Sequence, residues 1–196
     1  MSHHIYHTRT FVIHSSPRGE ANKVFSLFTK DLGLIRGSAQ GVRYLKSKLR
    51  HSLQDFSLAD VALVHGKNGW KIVNAVFQKN FYAALADTSL RNVVARVFSL
   101  LRRLIPEEER NEPLFLMVEN GCSFFERQVF TLDEVRSAEA ALVLRILHNL
   151  GYVGDSKTLS PFVESALWDI ELLRSLSPLR REALFTINKS LKESHL

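Results

Sequence analysis

The chain has 196 residues, of which 45% are hydrophobic and 23% charged, and it carries a formal net charge of +6 at pH 7. This composition is typical of a globular protein and excludes an intrinsically disordered chain. No window approaches about 18 consecutive apolar residues, so we expect neither a membrane-spanning helix nor, from the polar N-terminus, a secretory signal.

The single cysteine, Cys122, limits the covalent chemistry of the chain. One thiol can form neither an internal disulfide nor a zinc site of four cysteines. Because disulfides are typical of oxidising compartments, we expect a cytoplasmic location.

The positive charge is concentrated in the N-terminal part of the sequence. Residues 1–80 carry 12 Lys/Arg and 4 Asp/Glu, a balance of +8, whereas residues 81–196 carry 14 and 16, a balance of −2. A local basic excess is typical of a protein that binds a polyanion such as nucleic acid. An ordinary solvated surface is the alternative explanation, and the charge alone leaves it open.

Apolar residues alternate with polar ones in the first 80 residues, which predicts five short strands. We expect them at residues 6–15, 23–29, 34–39, 57–65 and 70–78, with a helix from Glu20 as the competing interpretation of the second. Glycine turns separate them, including the hairpin signal at residues 66–69. Five short strands predict a small barrel of the OB type, which binds oligonucleotides, and an SH3-like barrel fits the strand count equally well.

After Phe81 the apolar period lengthens to about 3.6 residues, which predicts helices. The first carries the stripe Leu90, Val93, Val94, Val97, Phe98 and Leu101 and ends at Pro106. A second runs from Asn111 to about Val129, and a capping box over residues 131–134 opens a third. Ser-Pro pairs at 160–161 and 177–178 predict two final helices. The predicted class is therefore α+β, with an OB-type barrel in residues 1–80 and an α-helical domain in residues 81–196.

The segment between the third and fourth predicted strands, residues 41–54, is a basic loop. If it is extended, Lys46, Lys48 and Arg50 project from one side about 6–7 Å apart, close to the spacing of phosphates in a single strand. Tyr44 could stack on an unpaired base, with packing over the barrel end as the alternative. The predicted DNA-binding residues are Arg18, Arg36, Arg43, Tyr44, Lys46, Lys48 and Arg50.

Motifs that carry catalytic chemistry are missing from the sequence: it has no GxGxxG, P-loop, GxSxG or HExxH pattern. We expect Cys122 to be a buried thiol, and the histidines are scattered. No catalytic residue, metal ligand or cofactor is therefore predicted, and we do not expect an enzyme. A hydrolase that uses histidines and a metal is the weaker alternative.

The sequence resembles the N-terminal region of the RecO family of bacterial recombination mediators. The similar runs are, in order, TFVIH (10–14), LFT (27–29), GLIR (33–36) and KSKL (46–49). Residues 147–152 (LHNLGY) are similar to the end of that family's central helix. The resemblance implies an OB barrel followed by an α-helical domain.

The resemblance also implies a function and partners. Family members bind single- and double-stranded DNA without sequence preference, anneal complementary strands and help to load recombinase. The implied partners are RecR and the acidic tail of single-strand-binding protein. Such a tail needs an apolar pocket with a cation, and Arg127, Arg136 and Arg145 are candidates, although ordinary surface arginines explain them equally well.

The sequence departs from the family pattern in one place. Many relatives carry a four-cysteine zinc module after the Gly-Tyr pair, whereas residues 153–159 (VGDSKTL) contain no cysteine. We therefore expect no zinc site. The alternative function is a non-catalytic interaction module, whose helical domain binds another repair protein while the basic loop is only a solvated surface.

Overall fold

A computed structural model describes residues 4–154, 156–165 and 167–193. The strands and the first helix are β1 (Ile5–Arg18), β2 (Asn22–Thr29), β3 (Gly33–Ala39), α1 (Lys48–Ser52), β4 (Ser57–Gly66) and β5 (Gly69–Asn80). The helices that follow are α2 (Phe81–Ala84), α3 (Thr88–Leu104), α4 (Glu112–Arg127), α5 (Leu132–Asn149), α6 (Ser160–Glu164), α7 (Ile170–Leu176) and α8 (Arg180–Glu193). The predicted α+β class, with five strands followed by helices, is confirmed.

The chain divides into two compact units. The first holds the chain up to Ala84 together with Ile105–Phe115, and the second holds Leu85–Leu104 and the chain from Leu116 onward. The predicted domains, with one boundary at residue 80, differ from these units because residues 105–115 belong to the first unit.

The strands of the first unit form one continuous ring of hydrogen-bonded pairs. Their order is β1-β2-β3-β5-β4, and β4 pairs back onto β1, so that the sheet closes. The parallel pairing of β3 with β5 is short and joins only Gly37 to Trp70 and Ser38 to Lys71. β1 pairs with both β2 and β4 and has a bulge between Val12 and His14. A bulge bends a strand and increases its twist, which closure of a small sheet requires.

The inward side chains of the strands form the core of this ring, and α1 completes it. Val42, Leu49 and Leu53, which lie between β3 and β4, pack with the inward residues of the strands. Leu49 and Leu53 are four residues apart, so one helical face presents both. This apolar contact explains why residues 48–52 are helical, and the predicted extended conformation of the basic loop is wrong there.

Aromatic side chains form a second apolar cluster against the outer face of β1. The ring of Phe11 lies 4.7 Å from that of Phe115 and 5.7 Å from that of Phe81, measured between centroids. β1 is therefore buried on both faces around Phe11. The competing helix from Glu20 is wrong, because β2 begins at Asn22.

The second unit confirms most of the helical predictions. The predicted stripe of α3 is buried throughout. The capping box at the start of α5 is formed in both directions between Thr131 and Glu134. The helix predicted from Ser160 is wrong in its length, because α6 ends at Glu164 and a new helix begins after Asp169, whose carboxylate accepts from the Glu171 backbone N–H at 3.3 Å.

Candidate nucleic-acid interface

Six of the predicted DNA-binding residues are cations, and all six are exposed. Arg18 ends β1 at the β1–β2 turn, where it pairs with Asn22. Arg36 lies on β3 opposite Ser26 of β2. Arg43 and Lys46 lie in the linker between β3 and α1, and Lys48 and Arg50 lie in α1.

In the part of the chain that the structure describes, these six cations have no carboxylate partner. Within residues 4–154, 156–165 and 167–193, none of them forms an ion pair with Asp or Glu. Other cations of the same unit are neutralised: Lys30 lies 3.1 Å from a Glu112 oxygen, and Arg110 lies 2.7 Å from the other. Positive charge therefore remains available to a polyanion at the β1–β2 turn, on β3, in the linker and on α1.

Hydrogen bonds fasten the linker to the β1–β2 turn. The backbone N–H of Arg43 donates to the Ala21 carbonyl at 3.0 Å, and its Nη1 donates to the Gly19 carbonyl at 2.9 Å. The Gly41 N–H donates to Asn22 Oδ1 at 2.9 Å. Two cationic segments that are more than 20 residues apart in sequence are thus held side by side.

The fastened linker creates a basic pocket. Lys23 of β2, Arg43 of the linker and Arg50 of α1 line a pocket of about 290 Å³ together with Val42 and Leu53. Lys23 is not among the predicted DNA-binding residues, because the pattern of residues 23–29 indicated only a strand. Its position directly after the β1–β2 turn is the one sequence signal for a role beside the linker.

The cations of the basic loop do not form the predicted single row. Lys46 precedes α1, whereas Lys48 and Arg50 are two residues apart within it. Residues two apart on a helix do not share a face, so these two side chains diverge. The predicted spacing of 6–7 Å along one edge is therefore wrong. Arg50 joins the pocket, while Lys46 and Lys48 stay on the exposed surface.

Two exposed apolar side chains stand between the linker cations. Tyr44 is 64% exposed and Leu45 is 88% exposed, whereas Val42, Leu49 and Leu53 pack against the barrel core. Consecutive turns fix the linker here, with the Tyr44 N–H donating to the Gly41 carbonyl at 3.1 Å. The ring of Tyr44 rests beside Gly41, whose Cβ, if present, would lie 3.3 Å from Tyr44 Cδ2.

The three arginines proposed for a protein partner have different environments. Arg127 and Arg136 are exposed on α4 and α5. Arg145 is 2% exposed, and its Nε and Nη2 donate to the carbonyls of Phe162 and Leu167 at 2.7 and 2.9 Å. Burial lowers the pKa of Arg145 to about 10. The prediction of Arg145 as a partner-binding residue is therefore wrong, because this side chain is committed to the interior.

An apolar groove of about 560 Å³ lies between α3, α5 and α8 in the second unit. Arg136 lines it, and its apolar lining residues include Leu100, Val143, Leu184 and Leu191. Two other lining arginines have carboxylate partners, since Arg96 Nη2 donates to Glu139 at 2.7 Å and Arg180 Nη2 lies 2.7 Å from Asp133. Arg136 thus lies beside an apolar groove, and its role in partner binding stays a prediction.

The described part of the chain contains neither a group of metal-ligating side chains nor a membrane-spanning helix. Among its residues, no three His, Cys, Asp or Glu side chains are grouped as metal ligands, and Cys122 is buried. None of its helices is both long enough and apolar enough to cross a bilayer.

Comparison with known proteins identifies a matching family model and several similar proteins. Residues 1–79 match the family model described as recombination protein O, N terminal. The chain is 32% identical over 115 residues to DNA repair protein RecO of Dehalococcoides mccartyi, which covers 59% of this chain and 46% of the relative. It is 27% identical over 154 residues to DNA repair protein RecO of Thermodesulfovibrio yellowstonii, covering 78% and 60%.

A relative of the same name in a Thermoanaerobacter species is 26% identical over 152 residues, covering 74% of this chain and 58% of the relative. The chain thus spans about half the length of the curated relatives that it matches. The region matched by the family model contains β1 to β4, the linker, α1 and all of β5 except its last residue. The chain is thus similar to DNA repair proteins named RecO, and its residues 1–79 match the N-terminal domain of recombination protein O.

Proposed function

We propose that this chain is a mediator of DNA repair and recombination that binds single- and double-stranded DNA without sequence specificity. In this proposal it promotes strand annealing and recombinase loading and has no catalytic chemistry or cofactor of its own. The first unit is an OB-type domain. Two observations support this assignment. β1 pairs with two neighbouring strands in the closed strand order, and the helix between β3 and β4 packs on the barrel core.

The observation that carries the proposal is the set of exposed cations on the β1–β2 turn, β3, the linker and α1, which form no ion pair with any carboxylate of the described residues. Phosphate contacts of this kind are independent of sequence, because every nucleotide presents the same charge. Two strands whose phosphates are neutralised repel each other less, which favours pairing. The charge pattern therefore supports both binding and annealing.

The test is the salt dependence of binding to a single-stranded oligonucleotide. With about four phosphate contacts, log K should fall against log salt with a slope near −3. Replacing Lys46, Lys48 and Arg50 together by Ala removes three cations and should bring the slope to about −1. The matched control replaces three exposed cations of the second unit, Lys157, Arg181 and Lys192, and should leave the slope near its parental value.

Each result has a distinct meaning. A slope that stays near −3 in the first variant removes the basic loop from the interface. A slope that falls equally in both variants indicates a response to net charge alone. Absence of DNA binding by the parental chain at low salt overturns the proposal.

The groove of the second unit favours a second candidate function, which is protein binding without direct DNA contact. RecR and the acidic tail of single-strand-binding protein are the proposed partners. A peptide with acidic and aromatic residues would place its apolar side chains in the groove and a carboxylate beside Arg136. Peptide binding that persists at high salt and is lost in Arg136→Glu, in a chain that does not bind DNA, would favour this candidate.

A further inference from the structure

The pocket formed by Lys23, Arg43 and Arg50 differs from the rest of the cationic surface in its shape. Its apolar lining residues, Val42 and Leu53, are each 2% exposed, and the three cations come from three different elements around them. Lys46 and Lys48, by contrast, do not line this pocket. A group that enters the pocket meets three positive charges at once, whereas the exposed lysines contact a passing strand singly.

We infer that Lys23, Arg43 and Arg50 form a binding site for a single phosphate group. This inference deepens the proposed DNA-binding function and takes its nucleic-acid ligand from that proposal. Arginine binds phosphate through several N–H groups in a fixed fork, and lysine acts as a point charge, so the combination suits a compact, multiply charged oxyanion. Lys23 is not one of the DNA-binding residues predicted from the sequence.

The pocket is preorganised by its own backbone. Arg43 is fixed at two points, by its N–H on Ala21 and its Nη1 on Gly19, and Lys23 Nζ lies 3.2 Å from Ser15 Oγ. Side chains that are already positioned lose less conformational entropy when a ligand binds. A phosphate in this pocket therefore contributes more to affinity than a phosphate on the exposed lysines, and it sets the register of the strand along the linker.

The first test uses inorganic phosphate as the probe and two-dimensional NMR of the backbone amides of the whole chain. Phosphate should shift the amides of Lys23, Val42 and Arg43 most, with saturation in the millimolar range. Arg50→Gln and Lys23→Gln should each weaken this response at least fivefold. The control Lys157→Gln, an exposed lysine of the second unit, should leave it unchanged. Shifts that spread evenly over all exposed lysines and arginines overturn the inference.

The second test distinguishes a terminal phosphate from an internal one. Affinity is measured for a (dT)12 strand with a 5′-phosphate, the same strand with a 5′-hydroxyl, and one in which methylphosphonates replace the internal linkages. A gain of about tenfold from the 5′-phosphate that is lost in Arg50→Gln assigns the pocket to strand ends. An equal loss for both unmodified strands in Arg50→Gln, with weak binding of the methylphosphonate strand, assigns it to internal phosphates.

The outcomes separate this inference from the proposed function. Strong DNA binding that all three pocket substitutions leave unchanged overturns the pocket and leaves the proposed function standing. Localised phosphate shifts in a chain that binds no oligonucleotide support the pocket and overturn the proposed function. Arg43→Gln also removes the bond to Gly19, so Lys23→Gln and Arg50→Gln decide the question if that variant is misfolded.

Discussion

Gly33 lies directly against the backbone of Glu109. A Cβ at Gly33 would overlap the carbonyl oxygen of Glu109 and stand 2.8 Å from its nitrogen, and the φ of Gly33 is +70°. The next residue of β3, Leu34, accepts a hydrogen bond from the Glu108 N–H at 2.9 Å. This part of β3 is not paired with β5, so residues 107–109 cover the strand where the ring of pairings is weakest.

This relationship predicts that Gly33→Ala destabilises the first unit by about 3 kcal/mol or more, because the methyl group meets backbone rather than a movable side chain. The matched control is Gly19→Ala, at which φ is +65° and no atom lies within 4 Å of the added Cβ. That variant should lose only about 1 kcal/mol, the cost of the positive φ. Urea denaturation followed by tryptophan fluorescence measures both, and equal losses would contradict the close-approach explanation.

The exposed pair Tyr44 and Leu45 predicts a contact with unpaired bases. Replacing both by Ala should weaken binding of a single strand about tenfold, since stacking on an aromatic ring stabilises binding by about 1–3 kcal/mol per base. The slope against salt should not change, because no charge is removed. Duplex binding should change little, since paired bases are already stacked.

The control for this prediction is Phe185→Ala, which removes an exposed aromatic ring from α8, 70% exposed. It should leave single-strand affinity within twofold of the parental chain. An equal loss on duplex and single strands in the Tyr44 and Leu45 variant would show that these residues support the linker rather than contact bases.

Much of the architecture follows from local periodicity. The alternation of β2 and the stripe of α3 are visible in a short window, because each residue's environment repeats along its own element. The hairpin at residues 66–69 and the capping box at Thr131 depend on neighbouring residues, and both were predictable for the same reason.

The errors arise where distant contacts override a local pattern. The alternation of Lys46, Lys48 and Arg50 indicated an extended loop, but Leu49 and Leu53 pack on the barrel core and make the segment helical. The pocket could not be predicted, because it depends on the bond that joins Arg43 to Gly19. Similarly, nothing near Arg145 in the sequence shows that its acceptors lie 17 and 22 residues away.

Replacing Arg145 should cause a large loss of stability in the second unit. Its guanidinium donates to two backbone carbonyls and lies 4.2 Å from the centroid of the Trp168 ring. Arg145→Met removes both charge-assisted hydrogen bonds and should cost about 3 kcal/mol in urea denaturation. The exposed Arg136→Met is the control and should change stability by less than about 0.5 kcal/mol. Similar values for the two variants would contradict the buried role of Arg145.

The capping box predicts that the stability of the second unit depends on pH. Glu134 Oε2 accepts from the Thr131 N–H at 2.8 Å, and Oε1 accepts from Arg174 Nε at 2.9 Å. These two hydrogen bonds hold the pKa of Glu134 below its ordinary value of 4.5. The bond from Thr131 has the larger effect and the bond from Arg174 the next. Because the folded state favours the carboxylate, its contribution is fully present above pH 4.5 and is lost as the pH falls through the lower, folded pKa.

Glu134→Gln should therefore be less stable than the parental chain at pH 7, and the difference should shrink as the pH falls below about 4. Thermal unfolding of the two proteins from pH 7 to pH 3 measures this. Glu182→Gln, an exposed residue in the first turn of α8, controls for the loss of one negative charge and should show no such convergence. A difference that stays constant over the whole pH range would mean that Glu134 acts through its shape and not through its charge.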